Sequence, residues 1–222
     1  MQTRKVLIDL KLDGKTIIVV GGGSEGYRKT LNFVDSGARI WVISKEFSSG
    51  IQKLAEEKKI DLIKTELKDA IAFIESLNPK PDMFLAVTND SKLNFELIKA
   101  AKFVGCMVYS VDNPVLSDFI LPAVAHVGDV KIAVSTSGKS PAMAKALRER
   151  IERLIQPEDL LEIKLQSHIR SILKEKFPDS NVRGKMLNEI LNNDNIKQVL
   201  KEGKLREAQE LALKLIKKKE TC

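Results

Sequence analysis

The stretch from Thr16 to Gly26, TIIVVGGGSEG, narrows the choice of fold more than any other part of the chain. A run of β-branched residues reads as a buried strand. Directly after it, Gly21, Gly23 and Gly26 complete a GxGxxG spacing, and a helical pattern near Tyr27 to Ser36 follows. In such a strand–turn–helix unit the first glycine permits the tight turn and the second lets the backbone approach a pyrophosphate. The third allows close packing of the helix. The helix start then offers free N–H groups to phosphate oxygens. Gly21, Gly22, Gly23, Ser24, Glu25 and Gly26 are therefore candidate cofactor-binding residues. A glycine-rich connecting turn without ligand is the alternative, and the spacing of all three glycines argues against it.

The pattern continues as strands alternating with helices. Strand-like runs occur at 39–43 (RIWVI), 61–64, 83–87 (MFLAV) and 107–111, with helical spacing at 51–59, 68–77 and 93–104. Alternation of this kind predicts an α/β fold with a parallel, Rossmann-type sheet covered by helices on both faces. After Asp112 the pattern changes. Runs at 119–127 and 130–135 flank Gly128-Asp129 and predict a hairpin. Ser140-Pro141 then opens a helix, with Met143, Leu147, Ile151 and Leu154 on one apolar stripe. Beyond residue 157 the pattern is helical, with stripes through Leu161, Leu165, Ile169 and Ile172 and through Leu205, Ala208, Ala212 and Leu215. The expected organisation is a dinucleotide-binding domain at 1–113, a small α+β dimerisation and substrate segment at 114–156, and a helical domain at 157–222.

Open α/β sheets bind ligands at the carboxyl ends of their strands, so the loops there hold the remaining candidates. The second strand ends in Ser44-Lys45-Glu46 instead of the single acidic residue that usually holds an NAD ribose. Ser44 and Glu46 suit ribose hydroxyls, whereas Lys45 suits a 2′-phosphate, so the residues alone leave NAD and NADP open. Thr88-Asn89-Asp90 and Asn94 follow the fourth strand. Asp112 follows the fifth, where a carboxylate can act as general base or as an Asx-type turn cap ahead of Pro114. Thr136-Ser137-Gly138-Lys139-Ser140 offers hydroxyls, N–H groups and a cation to carboxylates, or serves as a plain helix cap.

Composition excludes other classes. With 43% hydrophobic and 30% charged residues, the chain of 222 residues reads as globular. No apolar run approaches the roughly 20 residues of a membrane helix, and the N-terminus lacks the pattern of a signal peptide. The net charge of +7 comes with only 5% aromatic residues and no nucleic-acid motif, and a small acidic substrate explains the balance at least as well as a nucleic acid or a membrane surface. Neither Cys106 nor the terminal Cys222 belongs to a CxxC pair, which predicts reduced thiols in the cytoplasm and no structural zinc. His126 and His168 read as structural or surface residues, and no ligand cluster predicts a metal site.

GGGSEGYRKT resembles the GGGxVAxRK opening of the precorrin-2 dehydrogenase and sirohaem synthase N-terminal family. VDNPVLSDFILPA and KIAVSTSGKSPAMAKALRERIE are similar to that family's two other signatures, in the same order, and the likeness covers residues 5–155. The resemblance implies NAD-dependent oxidation of precorrin-2, a polycarboxylate tetrapyrrole, to sirohydrochlorin. Some members also insert ferrous iron as a ferrochelatase. It implies that Gly21 to Gly26 and Ser44, Lys45 and Glu46 hold the cofactor together with Thr88, Asn89 and Asn94, Asn89 standing for an acidic residue. Asp112 matches the family's catalytic aspartate, and Gly26 stands where alanine is usual, as a more permissive residue. The resemblance also implies a homodimer seamed by the Met143–Leu154 stripe, with Thr136 to Ser140 on substrate carboxylates. Two other classes compete with this reading. A non-catalytic dinucleotide-sensing regulatory module shares the glycine loop, but usually keeps the acidic residue after the second strand and lacks STSGKSP. An interaction module would act through the basic helical tail.

Overall fold

The computed structural model describes residues 5–220; Cys222 and the first four residues lie outside that range. The chain divides into two compact units that meet at Leu121 and Pro122. The first unit holds strands β1 (Thr16–Val20), β2 (Arg39–Ser44), β3 (Asp61–Lys64), β4 (Met83–Ala86) and β5 (Met107–Ser110). Helices α1 (Ser24–Thr30), α2 (Ser49–Glu56), α3 (Ala70–Ser76) and α4 (Ser91–Phe103) connect them. The sheet has five strands in the order β3-β2-β1-β4-β5, and every pairing is parallel. This is the α/β architecture that the alternating pattern predicts.

β1 lies at the centre, and all of TIIVV is buried because helices cover both faces. Side chains alternate along a strand. Ile17 and Val19 therefore pack with Phe33, Ile51 and Leu54 on one face, and Ile18 and Val20 pack with Ile74, Leu97 and Ile98 on the other. Each such side chain contributes about 2 kcal/mol through burial. The first helix starts earlier than expected and stops at Thr30, after which bonds of the i→i−3 type (Asn32 to Lys29, Phe33 to Thr30) tighten the chain. The run from Phe119 to Leu121 is not strand. Phe119 and Leu121 pack into the first unit's core, and Pro122, lacking an N–H, precedes the strand that follows. Residues 114–121 thus belong with the sheet: Ser117 Oγ and Asp118 Oδ2 accept from the Ser110 and Val108 amides of β5, each at 2.9 Å.

The second unit opens with the antiparallel hairpin β6 (Ala123–Val127) and β7 (Val130–Val134), turning at Gly128-Asp129. Helix α5 (Pro141–Glu152) packs on it. Helices α6 (Pro157–Lys176), α7 (Ser180–Leu191), α8 (Asp194–Lys201) and α9 (Leu205–Glu220) follow. Their core uses Leu165, Ile169 and Leu173 with Ala208, Ala212 and Ile216. Both late stripes are therefore centred toward their C-terminal ends relative to the sequence reading, leaving Leu161 and Leu215 only partly buried. Among the described residues no helix is long and apolar enough to cross a membrane.

The β1–α1 turn depends on close backbone contact. A Cβ at Gly26 would lie 1.9 Å from the Gly21 carbonyl oxygen, a backbone atom that cannot swing aside. This corrects the expectation that glycine here is merely a permissive substitute for alanine. Gly26→Ala is expected to lower stability by roughly 1–3 kcal/mol, read from the urea midpoint. At the opposite, amino-terminal ends of β1 and β4, Asp82 accepts from Lys15 Nζ at 2.8 Å and from the Thr16 amide at 2.9 Å. The Lys15 hydrogen bond first, and then the Thr16 amide, hold the Asp82 carboxyl below its usual range. Asp82→Ala should destabilise by about 1 kcal/mol at neutral pH. That contribution is complete above the unfolded aspartate value of about 4 and disappears as pH falls through the lower folded value. Thermal melts of both proteins should therefore converge in acid.

Candidate active site

At the carboxyl ends of β1, β2, β3 and β4 the first unit opens a crevice of about 650 Å³. Its floor is the glycine turn. Gly21 has φ of +126°, and a Cβ there would meet the Val87 carbonyl oxygen at 2.6 Å. A Cβ on Gly22 would meet the Glu46 carbonyl oxygen at 2.4 Å, while the Gly22 carbonyl accepts from the Ser48 amide at 2.8 Å. Side chains are thus excluded at both positions by neighbouring backbone. Gly23 differs: nothing lies within 4 Å of its missing Cβ. As N-cap of α1 it contributes no side-chain hydrogen bond, so it leaves the approach to the first helical turn open. These features fit a dinucleotide laid across the turn, with the Gly23–Gly26 backbone beside its pyrophosphate. Ser24 and Glu25 also line the crevice, and Glu25 is ion-paired with Arg28 and Lys29.

Ser44, Lys45 and Glu46 border the same crevice. Lys45 Nζ lies 2.5 Å from Glu66 Oε1, and Lys45 holds the Glu66 carboxyl below the usual glutamate range. Thr65, Glu66 and Leu67 line the crevice from the loop after β3, and the sequence reading missed them. Their signal was positional: any loop at the carboxyl end of a strand in a parallel sheet faces this side, even after a strand as weakly patterned as DLIK. Glu25, Glu46, Glu66 and Asp90 face one lysine, Lys45, among the lining residues. Acidic side chains thus outnumber basic ones in this lining, with Glu25 paired to Arg28 and Lys29 and Glu66 to Lys45.

Thr88 and Asn89 line the crevice; Asn94 is fully buried and does not. Asn94 Oδ1 accepts from the Thr88 amide at 3.1 Å and from Thr88 Oγ1 at 2.7 Å. Its Nδ2 donates to the Thr88 carbonyl at 3.0 Å and to Asp112 Oδ2 at 2.5 Å. Asp90, at the start of α4, accepts from the Lys92 and Leu93 amides as its N-cap. Asp112 is exposed just beyond β5. The turn ahead of Pro114 is capped by Asn113, whose Oδ1 accepts from the Val115 amide at 3.2 Å. Asp112 is therefore not the turn cap. Instead, its carboxylate is held by the amide that also holds Thr88 at the crevice.

The Thr136–Ser140 loop lies in the second unit. Ser137 has φ of +54° and Gly138 of +84°. Thr136 Oγ1 accepts from the Ser140 amide at 3.0 Å, and Ser140 Oγ caps α5 through the Met143 amide at 3.3 Å. Ser137, Gly138 and Lys139 are exposed. Both histidines are exposed as well, and no cluster of metal-ligating side chains occurs among the described residues.

Residues 8–123 match a family described as "Putative NAD(P)-binding", and residues 127–154 match the central region of a sirohaem biosynthesis protein family. The chain is 32% identical to the "Putative precorrin-2 dehydrogenase" of Methanocaldococcus jannaschii, covering 86% of this chain and 92% of the relative. It is also 32% identical to the precorrin-2 dehydrogenase of Methanosarcina barkeri, covering 84% and 83%. Siroheme synthase 1 of Aeromonas salmonicida is 30% identical over 91% of this chain, which spans 42% of that longer protein. The solved structure of SirC, precorrin-2 dehydrogenase, superposes with a TM-score of 0.73 at 21% identity, covering 95% of this chain and 100% of SirC, and so has the same fold. By these matches, the chain belongs to the precorrin-2 dehydrogenase and sirohaem synthase N-terminal family.

Proposed function

We propose that this protein oxidises precorrin-2 to sirohydrochlorin with NAD as the hydride acceptor. The observation that carries the reading is the Asn94 bridge, which ties a carboxylate at the end of β5 to the loop bordering the dinucleotide crevice. The oxidation removes two hydrogens from the tetrapyrrole. A bound nicotinamide supplies the acceptor for one, as hydride. Asp112 takes the other as a proton, since its second carboxylate oxygen is not the one bonded to Asn94. Gly23 to Gly26 hold the pyrophosphate, Ser44 and Glu46 take the ribose hydroxyls, and Thr88 and Asn89 border the nicotinamide half. Asn94 acts through Thr88 and Asp112 rather than on the cofactor. NAD is favoured over NADP because Lys45, the cation nearest the ribose position, is neutralised by Glu66.

Substrate carboxylates are assigned to Thr136–Ser140, where the exposed Lys139 supplies charge and the exposed Ser137 supplies a hydroxyl donor. Of the expected 114–156 segment, residues 122–156 serve as the dimerisation and substrate segment. The support is an apolar edge on α5 and just beyond it: Met143, Ile151 and Leu154 are 50%, 39% and 69% exposed. The setting is the cytoplasm, where the unpaired, buried thiol of Cys106 stays reduced.

Asp112→Ala should lower the rate of precorrin-2 oxidation at least ~100-fold while NADH binding, read by nucleotide fluorescence, stays within about twofold. Oxidation at the wild-type rate would reduce Asp112 to a structural residue. In a parallel assay, sirohydrochlorin and ferrous iron are supplied without NAD. Insertion faster than the uncatalysed rate, lost in Asp112→Ala, would add a ferrochelatase activity to the proposal; the background rate would leave a dehydrogenase alone. Light scattering at micromolar concentration should report a dimer, and Leu154→Lys should shift it toward monomer. A monomeric wild type would remove the α5 seam.

A further inference from the structure

We propose that Glu66 determines the cofactor preference of this crevice by occupying Lys45, the cation that would otherwise accept a 2′-phosphate. The inference rests on the NAD reading above and names the residue behind it.

In a sheet of this order, the residues after the second strand meet the adenosine ribose. Here they are Ser44, Lys45 and Glu46, and Lys45 is the sole basic residue among those lining the crevice. Left alone, an exposed ammonium at that place would attract a phosphate on the ribose 2′ position. It is not left alone: Glu66 reaches it from the loop after β3 with Nζ and Oε1 2.5 Å apart. Glu66 therefore acts twice. Its carboxylate takes up the Lys45 donors, and its negative charge, with that of Glu46 beside it, opposes a further dianion. A ribose hydroxyl meets neither obstacle, since the Glu46 and Ser44 oxygens remain available to accept from it.

The pair is accessible and weakly tied to folding. The Lys45 and Glu66 side chains are 65% and 50% exposed, so a ligand reaches them without disturbing the sheet. Exposed ion pairs contribute little to stability, so substitution at either end leaves a folded protein to test. Lys68 also faces Glu66 and adds to its acidity, but does not line the crevice. Removing Glu66 would thus uncover Lys45 with a second cation behind it.

Equilibrium binding of NADH and NADPH, followed by nucleotide fluorescence at low salt, tests the proposal on four proteins: wild type, Glu66→Gln, Glu66→Lys and the double variant Lys45→Met with Glu66→Gln. The wild type should prefer NADH. Glu66→Gln should move the ratio of affinities toward NADPH by roughly fivefold, Glu66→Lys should move it further, and the double variant should lose the gain. The gain should also shrink in high salt, because both groups are exposed. An unchanged ratio in Glu66→Gln, with the wild type still preferring NADH, overturns the role of Glu66 and leaves the NAD reading intact. A gain that survives in the double variant shows that Lys45 is not the acceptor and likewise overturns the proposal. A wild type that prefers NADPH, or binds neither nucleotide, overturns the NAD reading itself.

Discussion

The amide of Asn94 is fully buried, and both of its ends are engaged. Its oxygen takes the Thr88 amide and hydroxyl, and its nitrogen gives to the Thr88 carbonyl and the Asp112 carboxylate. A buried amide stripped of such partners carries a penalty of about 1–3 kcal/mol, so the network favours one arrangement of the two loops over any looser one. The loop after β4 borders the dinucleotide crevice, and the carboxylate after β5 is the proposed proton acceptor. Their spacing is set by a group that enters neither step. The bond joins α4 to the loop after β5, beside the parallel β4–β5 pair in which Phe84 lies opposite Val108 and Ala86 opposite Ser110. The chemistry at the crevice thus inherits its geometry from the packing of the sheet.

Much of this was legible in the residues, for identifiable reasons. Buried strands of a parallel sheet consist of apolar, β-branched runs, so TIIVV and RIWVI stood out. Of the GxGxxG glycines, Gly21 and Gly26 stand where backbone blocks a Cβ and Gly23 where the space is open, while Gly22, at a position the motif does not specify, is blocked as well. Gly128-Asp129 and Ser140-Pro141 act through local backbone chemistry and were equally plain. What stayed hidden depends on contacts between distant positions. Asn94 and Asp112 are separated by 18 positions, and nothing local shows that the Asn94 amide is buried and does not line the crevice. Glu66 follows a short, mostly exposed strand; its loop had a positional signal, but its pairing with Lys45 had none. The start of β6 was misjudged because Phe119 and Leu121 are apolar for the first unit's core, not for the hairpin.

Electrostatics separates the two ligands. The chain carries a net charge of +7, yet Glu25, Glu46, Glu66 and Asp90 outnumber Lys45 in the lining of the dinucleotide crevice. A pyrophosphate tolerates this because backbone N–H groups at a glycine turn provide partial positive charge without any side chain. A polycarboxylate ring has no such provision in an acidic crevice, where each carboxylate would face a like charge at short range. Under the proposed reaction the carboxylates of the substrate are therefore met by groups outside that lining. Lys139 has the required sign, and Ser137, a non-glycine residue at positive φ, is held there against its ordinary backbone preference. Strain of that kind persists where the surrounding structure requires it. Here the requirement is local: Lys139 N donates to the Thr136 carbonyl at 3.0 Å and Thr136 Oγ1 to the Ser140 carbonyl at 3.0 Å. The same bonds that close the loop ahead of α5 leave Lys139 and the Ser137–Gly138 turn exposed.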